Sequence, residues 1–337
     1  MLVSWNVTRG CNLKCRHCYR DAGLPAADEL STAEGFELLK QVAACGFNTI
    51  ILSGGEPLLR KDIFELIACA RGNGLRPVLG TNATLIDAAV ARQLKKAGLA
   101  RVGISLDSVD AAAHNDFRQQ EDAWQNTVSA MEALRREGLD FQVHTTVTRM
   151  NLKGINEVTD FGVLKGALAH HVFFLVPAGR GKNISDAAIT KKEYYLLLKK
   201  LAMKQKTSGI EVKPVCAPQF MALENNREER GEKRYSRGCL AGIAYACVLP
   251  NGDVHPCPYL PVRAGNVRET KLTELWKDSP IFTRLRSMRY SGACASCEHK
   301  QSCGGCRGRA WAECRDYMAQ DPYCFNSKCA YKEGVAA

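Results

Sequence analysis

Three cysteines near the start of the chain have the spacing of a metal-binding loop. Cys11, Cys15 and Cys18 form the pattern CxxxCxxC directly after a predicted strand at residues 2–8. A cubane iron–sulfur cluster takes four ligands, so three cysteines would leave one iron open to another group. Structural zinc is the alternative, although zinc prefers paired CxxC knuckles and a closed set of four ligands. The spacing therefore favours an iron–sulfur cluster with one open position.

A glycine-rich turn with one carboxylate follows the next predicted strand. Its sequence is SGGEP, at residues 53–57, and it contains Glu56. Glycines let a backbone approach a ligand closely, and a carboxylate accepts hydrogen bonds from an ammonium group. Alone, the motif would fit an ordinary tight turn. Because it stands at the strand end that follows the cysteine loop, we expect it to complete the same site.

The elements that must position both motifs alternate between strand and helix. Strands are predicted at residues 2–8, 48–53, 77–80, 101–106, 142–147 and 172–176, and helices at 31–45, 62–72, 86–97, 122–137 and 152–165. Six strands in repeated βα order predict an α/β fold with a parallel sheet, closed or partly closed as a barrel by right-handed crossovers. Chemistry in such a fold belongs at the carboxyl ends of the strands, where both motifs fall.

Composition and charge exclude several classes of protein. The chain has 337 residues, 46% of them hydrophobic, and no apolar run long enough to span a membrane. Residues 1–10 lack the basic and apolar regions of a signal peptide, so we expect a cytoplasmic protein. The net charge of +11 includes a lysine-rich predicted helix at 191–206 and a mixed charged run at 227–237. Since no aromatic side chains interleave with these charges, we expect no nucleic-acid partner; an acidic electron donor or a polycarboxylate substrate fits the charge.

Cysteines are concentrated in the second half of the chain. Ten of the sixteen lie between residues 239 and 329, in a region where no strand–helix alternation is predicted. Clustered cysteines in a reducing compartment indicate metal or iron–sulfur ligation rather than disulfides. We predict a core domain at 1–208 and a cysteine-rich domain at 209–337, with a hairpin at 245–256 and helical segments at 271–289. Bound clusters would replace part of the apolar core that this region lacks.

The cysteine triplet and the SGGEP turn together resemble the signature of the radical SAM superfamily, whose core is a (βα)6 partial TIM barrel. The resemblance implies that Cys11, Cys15 and Cys18 ligate a [4Fe–4S] cluster and that S-adenosylmethionine (SAM) chelates its open iron. Further SAM contacts are implied for Gly54, Gly55 and Glu56 (amino group), Ser105 and Asp107 (ribose), Arg118 (carboxylate), Val176 and Pro177 (adenine), and for Thr81 and Asn82 after the third strand. These matches come at or after later strand ends.

The tail resembles the SPASM extension of radical SAM enzymes, which binds auxiliary iron–sulfur clusters. The pattern is Cx12Gx4C from 239 to 257, then Cx2Cx5Cx2C from 294 to 306 and a further cysteine at 324. The resemblance implies one auxiliary [4Fe–4S] cluster on Cys294, Cys297, Cys303 and Cys324, and another on Cys239, Cys257 and Cys306 with Cys247 as the fourth ligand. The usual pattern has three residues before its fourth cysteine, where this chain has two, so Cys314 and Cys329 stay open as replacements. Zinc knuckles are the alternative for this region.

Segments throughout the chain resemble the alternative, siroheme-dependent haem-biosynthesis group of this superfamily. They include RPVLGTN at 76–82, HHVFFLVP at 170–177, PCPYLP at 256–261 and CGGCR at 303–307. The resemblance is closest to the haem b synthases, which implies oxidative decarboxylation of two propionates of iron-coproporphyrin III to vinyl groups. It also implies an iron-porphyrin substrate and a low-potential electron donor such as ferredoxin or flavodoxin, and we expect a monomer. Ala83 replaces the glycine expected after Thr-Asn.

Three other functions fit parts of the pattern. Deacetylation of didecarboxysiroheme would use the same fold and SAM site. A peptide maturase would use SPASM clusters, but many such enzymes carry a leader-peptide-binding domain before the core, and Cys11 leaves no room for one here. A non-catalytic electron carrier or zinc scaffold would not need Gly-Gly-Glu-Pro. Arg180 and Lys182 are the candidate contacts for the propionates. His144, His170 and His171 are candidate contacts for the porphyrin or its iron, and an ordinary core role is the alternative for each.

Overall fold

A parallel sheet in chain order forms the frame of the protein. The structure, a computed structural model, describes residues 1–225 and 237–325; Cys329 and all but the last residue of the charged run at 227–237 lie outside the described residues. The strands are β1 Leu2–Asn6, β2 Thr49–Ser53, β3 Arg76–Thr81, β4 Arg101–Ser105, β5 Phe141–Val147, β6 Ala169–Phe174, β7 Glu211–Val215, β8 Tyr245–Val248, β9 Asp253–His255 and β10 Gly265–Asn266. Their order in the sheet is β10-β9-β8-β1-β2-β3-β4-β5-β6-β7. Every pair from β8–β1 to β6–β7 is parallel, which confirms the predicted α/β class.

Helices connect β1 to β7 on one side of the sheet, and further helices follow β7 and β10. They are α1 Thr32–Ala44, α2 Ile63–Gly72, α3 Ala88–Lys96, α4 Ala111–Arg118, α5 Ala123–Glu137, α6 Ile155–Lys165, α7 Lys191–Thr207, α8 Phe220–Asn225, α9 Leu272–Asp278, α10 Pro280–Arg286 and α11 Arg307–Cys314. Because β1 to β7 follow one another in the sheet, right-handed crossovers place the connecting helices on the same face. α1 begins with a capping box between Ser31 and Glu34. α4, which carries Arg118 in its last turn, was not predicted.

The face of the sheet that carries the helices is apolar. Val3 and Trp5 of β1 and Ile50 and Leu52 of β2 are fully buried and belong to one hydrophobic cluster with residues of α1 and α2. A Cβ on Gly35 of α1 would lie 2.6 Å from the Trp5 ring, so this glycine lets the helix approach the strand closely. Because the helices cover this face, a ligand can bind only at the strand ends or on the opposite face of the sheet.

The opposite face of the sheet, which we call the helix-free face, is mainly polar, although Ile51, Val78 and Phe173 also lie on it. Its side chains include Ser4, Asn6, Ser53, Ser105, Gln142, His144, His171 and Lys213, which alternate with the buried apolar residues of the helix side. A packed (βα)8 barrel fills this position with layers of branched apolar side chains. One register row crosses β4 to β7 in the order Ser105, His144, His171, Lys213. Such a face is therefore better suited to binding a polar ligand than to packing as an apolar core.

Both edges of the parallel sheet extend beyond the predicted core. No strand is predicted between 177 and 244, yet β7 pairs in parallel with β6. β7 was not predicted as a strand because its sequence, EVKPV, carries two charges and Pro214. Such a segment can still form a strand at a sheet edge, where proline is tolerated. At the other edge β8 pairs in parallel with β1, and the predicted hairpin forms as β8 and β9. No helix in the described ranges is long and apolar enough to cross a membrane.

Candidate metal centre and auxiliary cysteine groups

The cysteine loop lies between the end of β1 and the start of α1. Cys15 is buried, and Cys11 and Cys18 are half-buried. Two backbone amides point at sulfurs: Leu13 N lies 3.4 Å from the Sγ of Cys11, and Ala22 N lies 3.5 Å from that of Cys18. Hydrogen bonds to the sulfurs orient cysteine ligands and tune iron–sulfur clusters. The donor set and its amides therefore fit a cluster.

Near pH 7 the Cys11 thiol stays protonated unless a metal group binds it. Burial raises the pKa of Cys11 to about 11, and the neighbouring Cys15 and Cys18 add to the rise. Thiolates in such a place need a metal to stabilise them. In the described ranges, no three Cys, His, Asp or Glu side chains converge closely enough to hold one metal ion. A cluster can bind each of the three cysteines through a different iron, so it does not require their sulfurs to meet at one point.

The SGGEP turn docks on the backbone that leads into the cysteine loop. The Gly55 amide donates to the Thr8 carbonyl at 2.8 Å. The Glu56 amide donates to the Gly10 carbonyl at 2.7 Å. A Cβ on Gly54, whose φ is +150°, would lie 2.5 Å from the Thr8 carbonyl, and one on Gly55 would collide with Gly10. The glycines are thus required by contact between two stretches of this chain, a constraint that the ligand argument from the sequence did not include.

Glu56 is fully buried where the ends of β2 and β3 meet. Its carboxylate accepts hydrogen bonds from Thr81 Oγ1 at 2.7 Å, the Asn82 amide at 2.9 Å and the Leu58 amide at 3.2 Å. Burial nevertheless raises the pKa of Glu56 to about 7. An ammonium group beside it would favour the ionised carboxylate. Thr81 and Asn82, both expected at the SAM site, act here by holding Glu56.

The loop after β3 also holds the cysteine loop. Asn82 Nδ2 donates to Asn12 Oδ1 at 2.9 Å, and Asn12 Nδ2 donates to Thr84 Oγ1 at 2.9 Å. Ala83 has a φ of +67° and is fully buried. This left-handed backbone is the physical reason to expect a glycine at that position. The departure is accommodated because the alanine methyl is small enough to be buried there.

Asp107 and Arg118 form a buried ion pair beside Cys15. Arg118 Nη2 lies 2.6 Å from Asp107 Oδ2, and Arg118 Nη1 lies 3.7 Å from Cys15 Sγ. Within the described residues, the buried Nε of Arg118 has no hydrogen-bond partner. A carboxylate ligand could use that donor. Ser105, the last residue of β4, is half-buried on the helix-free face close in sequence to Asp107.

Arg180 holds the cysteine loop from the side of β6. It donates to the carbonyls of Cys15 at 3.1 Å and Ala22 at 2.6 Å, and pairs with Asp21 at 3.0 Å. These contacts occupy the side chain that was a candidate propionate ligand. Lys182 is exposed nearby in sequence. The structure therefore gives Arg180 a role in supporting the loop.

The segment after β6 also contacts the loop through its backbone. Val176 is buried and Pro177 is half-buried. Gly179 has a φ of +53°, and a Cβ there would lie 2.5 Å from the Tyr19 backbone. The Gly181 amide donates to the Cys18 carbonyl at 3.3 Å. The two residues expected beside adenine thus lie at the start of a segment that lies against the cysteine loop.

The three candidate histidines face different surroundings. His170 is on the helix side and fully buried, with Thr145 Oγ1 and Thr159 Oγ1 each 2.8 Å from a ring nitrogen. It is a satisfied core residue. His144 and His171 stack on the helix-free face with ring centroids 5.3 Å apart. Burial lowers the pKa of all three, that of His170 to about 3, so the rings are neutral near pH 7.

A second group of cysteines forms at the start of α11. The side chains of Cys306 and Cys216 lie close together, and their interaction lowers the pKa of Cys306 to about 6. Burial and the nearby Cys306 raise the pKa of Cys239 and of Cys257. Cys216 directly follows β7 and has a φ of +57°. These four thiols gather from three distant parts of the chain.

Cys247, predicted as the fourth ligand of this group, has a different environment. It is fully buried on β8, where Asn6 Nδ2 lies 3.4 Å from its Sγ. Cys216, rather than Cys247, is the residue whose side chain meets Cys306. The proximity of Cys216 to Cys306 was not predicted because Cys216 lies outside the cysteine pattern of the tail. Its only signal is that it ends a strand, and that strand was not predicted.

A third group contains the remaining cysteines of the predicted pattern. Burial raises the pKa of Cys294 and of Cys303, and their mutual proximity to Cys324 contributes. The Gly305 amide lies 3.4 Å from the Sγ of Cys303. Cys297 is half-buried in the same loop region. By contrast, Cys314, one of the two spare cysteines, is exposed at the end of α11.

Comparisons with known proteins agree with this fold and site. Residues 5–161 match the model of the radical SAM superfamily, and residues 239–306 match the SPASM iron–sulfur cluster-binding domain. Streptococcus suis SuiB bound to S-adenosylmethionine has the same fold, with a TM-score of 0.75 and 19% identity over 96% of this chain and 77% of that one. Native anSMEcpe with bound AdoMet gives a TM-score of 0.73 and 22% identity, covering 96% and 93%. The protein is a radical SAM enzyme with a SPASM domain, and SAM and iron–sulfur clusters are its cofactors.

Its relatives indicate which group of radical SAM enzymes the chain belongs to. The AdoMet-dependent heme synthases of Methanosarcina barkeri and Nitratidesulfovibrio vulgaris are each 38% identical over 96% of this chain, and over 95% and 91% of their own. The Fe-coproporphyrin III synthase of Methanosarcina barkeri is 32% identical over 97% of this chain and 88% of its own. The chain belongs to the alternative haem-biosynthesis group of radical SAM enzymes.

The raised pKa of Glu56 predicts pH-dependent SAM binding. With a pKa of about 7, the carboxyl is mostly protonated at pH 6 and mostly ionised at pH 7.5. If the ionised form accepts from the SAM ammonium, the affinity for SAM should rise roughly eightfold between these pH values. Anaerobic calorimetric titration with SAM at both pH values measures this affinity for the wild type and for Glu56→Gln. The variant should bind weakly with a flat profile; a flat wild-type profile would contradict the assignment.

The environments of Cys216 and Cys247 predict different effects on iron content. In a background that carries Cys11→Ala, Cys15→Ala and Cys18→Ala, Cys216→Ala should lose about one [4Fe–4S] cluster per chain or convert it to a smaller one. Cys247→Ala should keep the iron of the background. Iron analysis and Mössbauer spectroscopy of reconstituted protein check both. Loss of iron from Cys247→Ala alone would instead support Cys247 as the ligand.

Proposed function

We propose that this protein makes haem b by oxidative decarboxylation of two propionates of iron-coproporphyrin III to vinyl groups. The observation that carries the proposal is the 38% identity to AdoMet-dependent heme synthases over almost the whole of both chains. Identity falls to 32% for the relative named for synthesis of Fe-coproporphyrin III, which is the competing activity within the group. The order of the identities therefore favours haem as the product.

In the proposed site, the cysteine loop and the strand ends around it hold the cluster and SAM. Cys11, Cys15 and Cys18 ligate the cluster, and Glu56 accepts from the SAM amino group. When bound, the cluster and SAM supply a 5′-deoxyadenosyl radical. The other SAM contacts proposed are Gly54, Gly55, Thr81, Asn82, Ser105, Asp107, Arg118, Val176 and Pro177. The unpartnered Nε of Arg118 supports a carboxylate ligand beside Cys15.

The chemistry of each propionate requires an electron acceptor. Removal of a hydrogen atom from the β-carbon leaves a substrate radical and 5′-deoxyadenosine. The radical becomes a vinyl group when it loses carbon dioxide and one electron. We propose that the auxiliary clusters, when bound, would supply the one-electron acceptor that this step needs. The ligand sets are Cys216, Cys239, Cys257 and Cys306 for one cluster, and Cys294, Cys297, Cys303 and Cys324 for the other.

The helix-free face supports a porphyrin site in the partial barrel. Ser105, proposed beside the SAM ribose, shares its register row with His144 and Lys213. His144 and His171 offer flat neutral rings for contact with a planar macrocycle. Burial lowers the pKa of Lys213, which lies beside Glu211, yet its ammonium can still meet a propionate. We further propose a low-potential, acidic electron donor such as ferredoxin or flavodoxin as the partner. The proposed domains are a radical SAM core at 1–208 and a SPASM-type domain at 209–337.

The direct test is an anaerobic assay with the reconstituted protein, SAM, a reductant and iron-coproporphyrin III. We expect monovinyl and then divinyl product by mass spectrometry, with one 5′-deoxyadenosine for each vinyl group. Cleavage of SAM with unchanged porphyrin would reject the proposal. A parallel arm with didecarboxysiroheme distinguishes the sister activity, which would consume that substrate instead.

Substitution of Lys213 tests the substrate site within the same assay. Loss of a charge-assisted hydrogen bond in Lys213→Gln should raise the KM for the porphyrin about tenfold. The matched control is Lys199→Gln on the exposed side of α7, which should behave as wild type. An unchanged KM in both variants would place the propionates elsewhere.

A further inference from the structure

Arg309 and Asp321 form an ion pair buried between the two auxiliary groups of cysteines. Their side chains are 3% and 0% exposed. Arg309 donates from Nε to Asp321 Oδ1 at 3.0 Å and from Nη2 to Oδ2 at 2.9 Å. A buried ion pair adds little to stability because desolvation offsets the attraction. Its presence therefore calls for a role other than general stabilisation.

The pair contacts the backbone of cysteines from both groups. On the side of the first group, Asp321 Oδ2 accepts from the Cys306 amide at 2.6 Å. Arg309 Nη1 donates to the Cys216 carbonyl at 2.6 Å. On the other side, the Asp321 carbonyl accepts from the Cys324 amide at 3.0 Å. The side chains of the pair thus contact two proposed ligands of one cluster, and the backbone of Asp321 contacts a proposed ligand of the other.

The surroundings of the pair exclude water and leave its charges poorly screened. The Arg309 guanidinium lies 4.6 Å from the Tyr323 ring centroid and 5.5 Å from that of Tyr194. Gln219 donates to Asp321 Oδ2 at 2.7 Å and accepts from the Tyr194 hydroxyl at 2.6 Å. In such a low-dielectric place, each charge acts strongly on a neighbouring redox centre.

We propose that the Arg309–Asp321 pair positions the two auxiliary clusters relative to each other and sets their reduction potentials by opposing charges. Reduction by one electron adds a negative charge to a cluster. The guanidinium favours that change and the carboxylate opposes it. Both are positioning residues, since they act through the cysteines and the field rather than on substrate. The proposal rests on the ligand sets given above, but not on the identity of the porphyrin.

Potentials measured without substrate test the proposal. The full chain would carry Cys11→Ala, Cys15→Ala and Cys18→Ala, so that only auxiliary clusters give signals in an electron paramagnetic resonance redox titration. We expect Asp321→Asn to shift the auxiliary potentials upward and Arg309→Gln to shift them downward, with iron content retained. The double variant, in which neither charge remains, should return close to the starting potential.

The control is Asp253→Asn, which breaks an ion pair with Arg263 in the same region without a cysteine contact. It should leave both potentials and iron unchanged. Shifts in the same direction for Asp321→Asn and Arg309→Gln, or no shift in either, would overturn the proposal. If a single variant loses iron, the double variant must regain it, because no unpaired buried charge remains; failure to regain it also overturns the proposal. Neither result depends on whether the enzyme decarboxylates a porphyrin.

Discussion

Close backbone contact between the SGGEP turn and the segment that follows β1 is the constraint on which the site depends. The amides of Gly55 and Glu56 bond to carbonyls just before Cys11, and a side chain on Gly55 would prevent the approach. This contact fixes where the cysteine loop starts. Asn12 and Arg180 then hold the loop from the β3 and β6 sides. These contacts hold the three thiols of the loop at the carboxyl ends of the strands.

The two faces of the sheet explain how one fold separates stability from chemistry. Every second residue of the strands packs under the helices, and His170 is satisfied there by two threonine hydroxyls. Most of the alternate residues are polar, which suits the helix-free face to a polar ligand. Successive side chains of a strand point to opposite faces of the sheet, so the neighbouring residues His170 and His171 lie on different faces.

Much of the site could be predicted from the sequence because its motifs are local. The triplet at 11–18, the SGGEP turn and the cysteines at 294–306 are each read within a few residues, and the βα alternation gave the sheet. Long-range pairing could not be read in this way. β7 has an edge-strand pattern that resembles a loop, and Cys216 meets Cys306 only because β7 joins the sheet. Arg180 looked like a ligand for carboxylates, but its partners are carbonyls of the cysteine loop, which only the folded chain brings near.

The central claim is that Cys11, Cys15 and Cys18 hold a cluster whose fourth iron binds SAM through its amino and carboxyl groups. The most direct measurement is electron–nuclear double resonance of the reduced protein with SAM labelled with 15N at the amino group. The account predicts a 15N coupling to the cluster in the wild type that disappears in Cys15→Ala. Absence of that coupling in wild-type protein with SAM bound would contradict it.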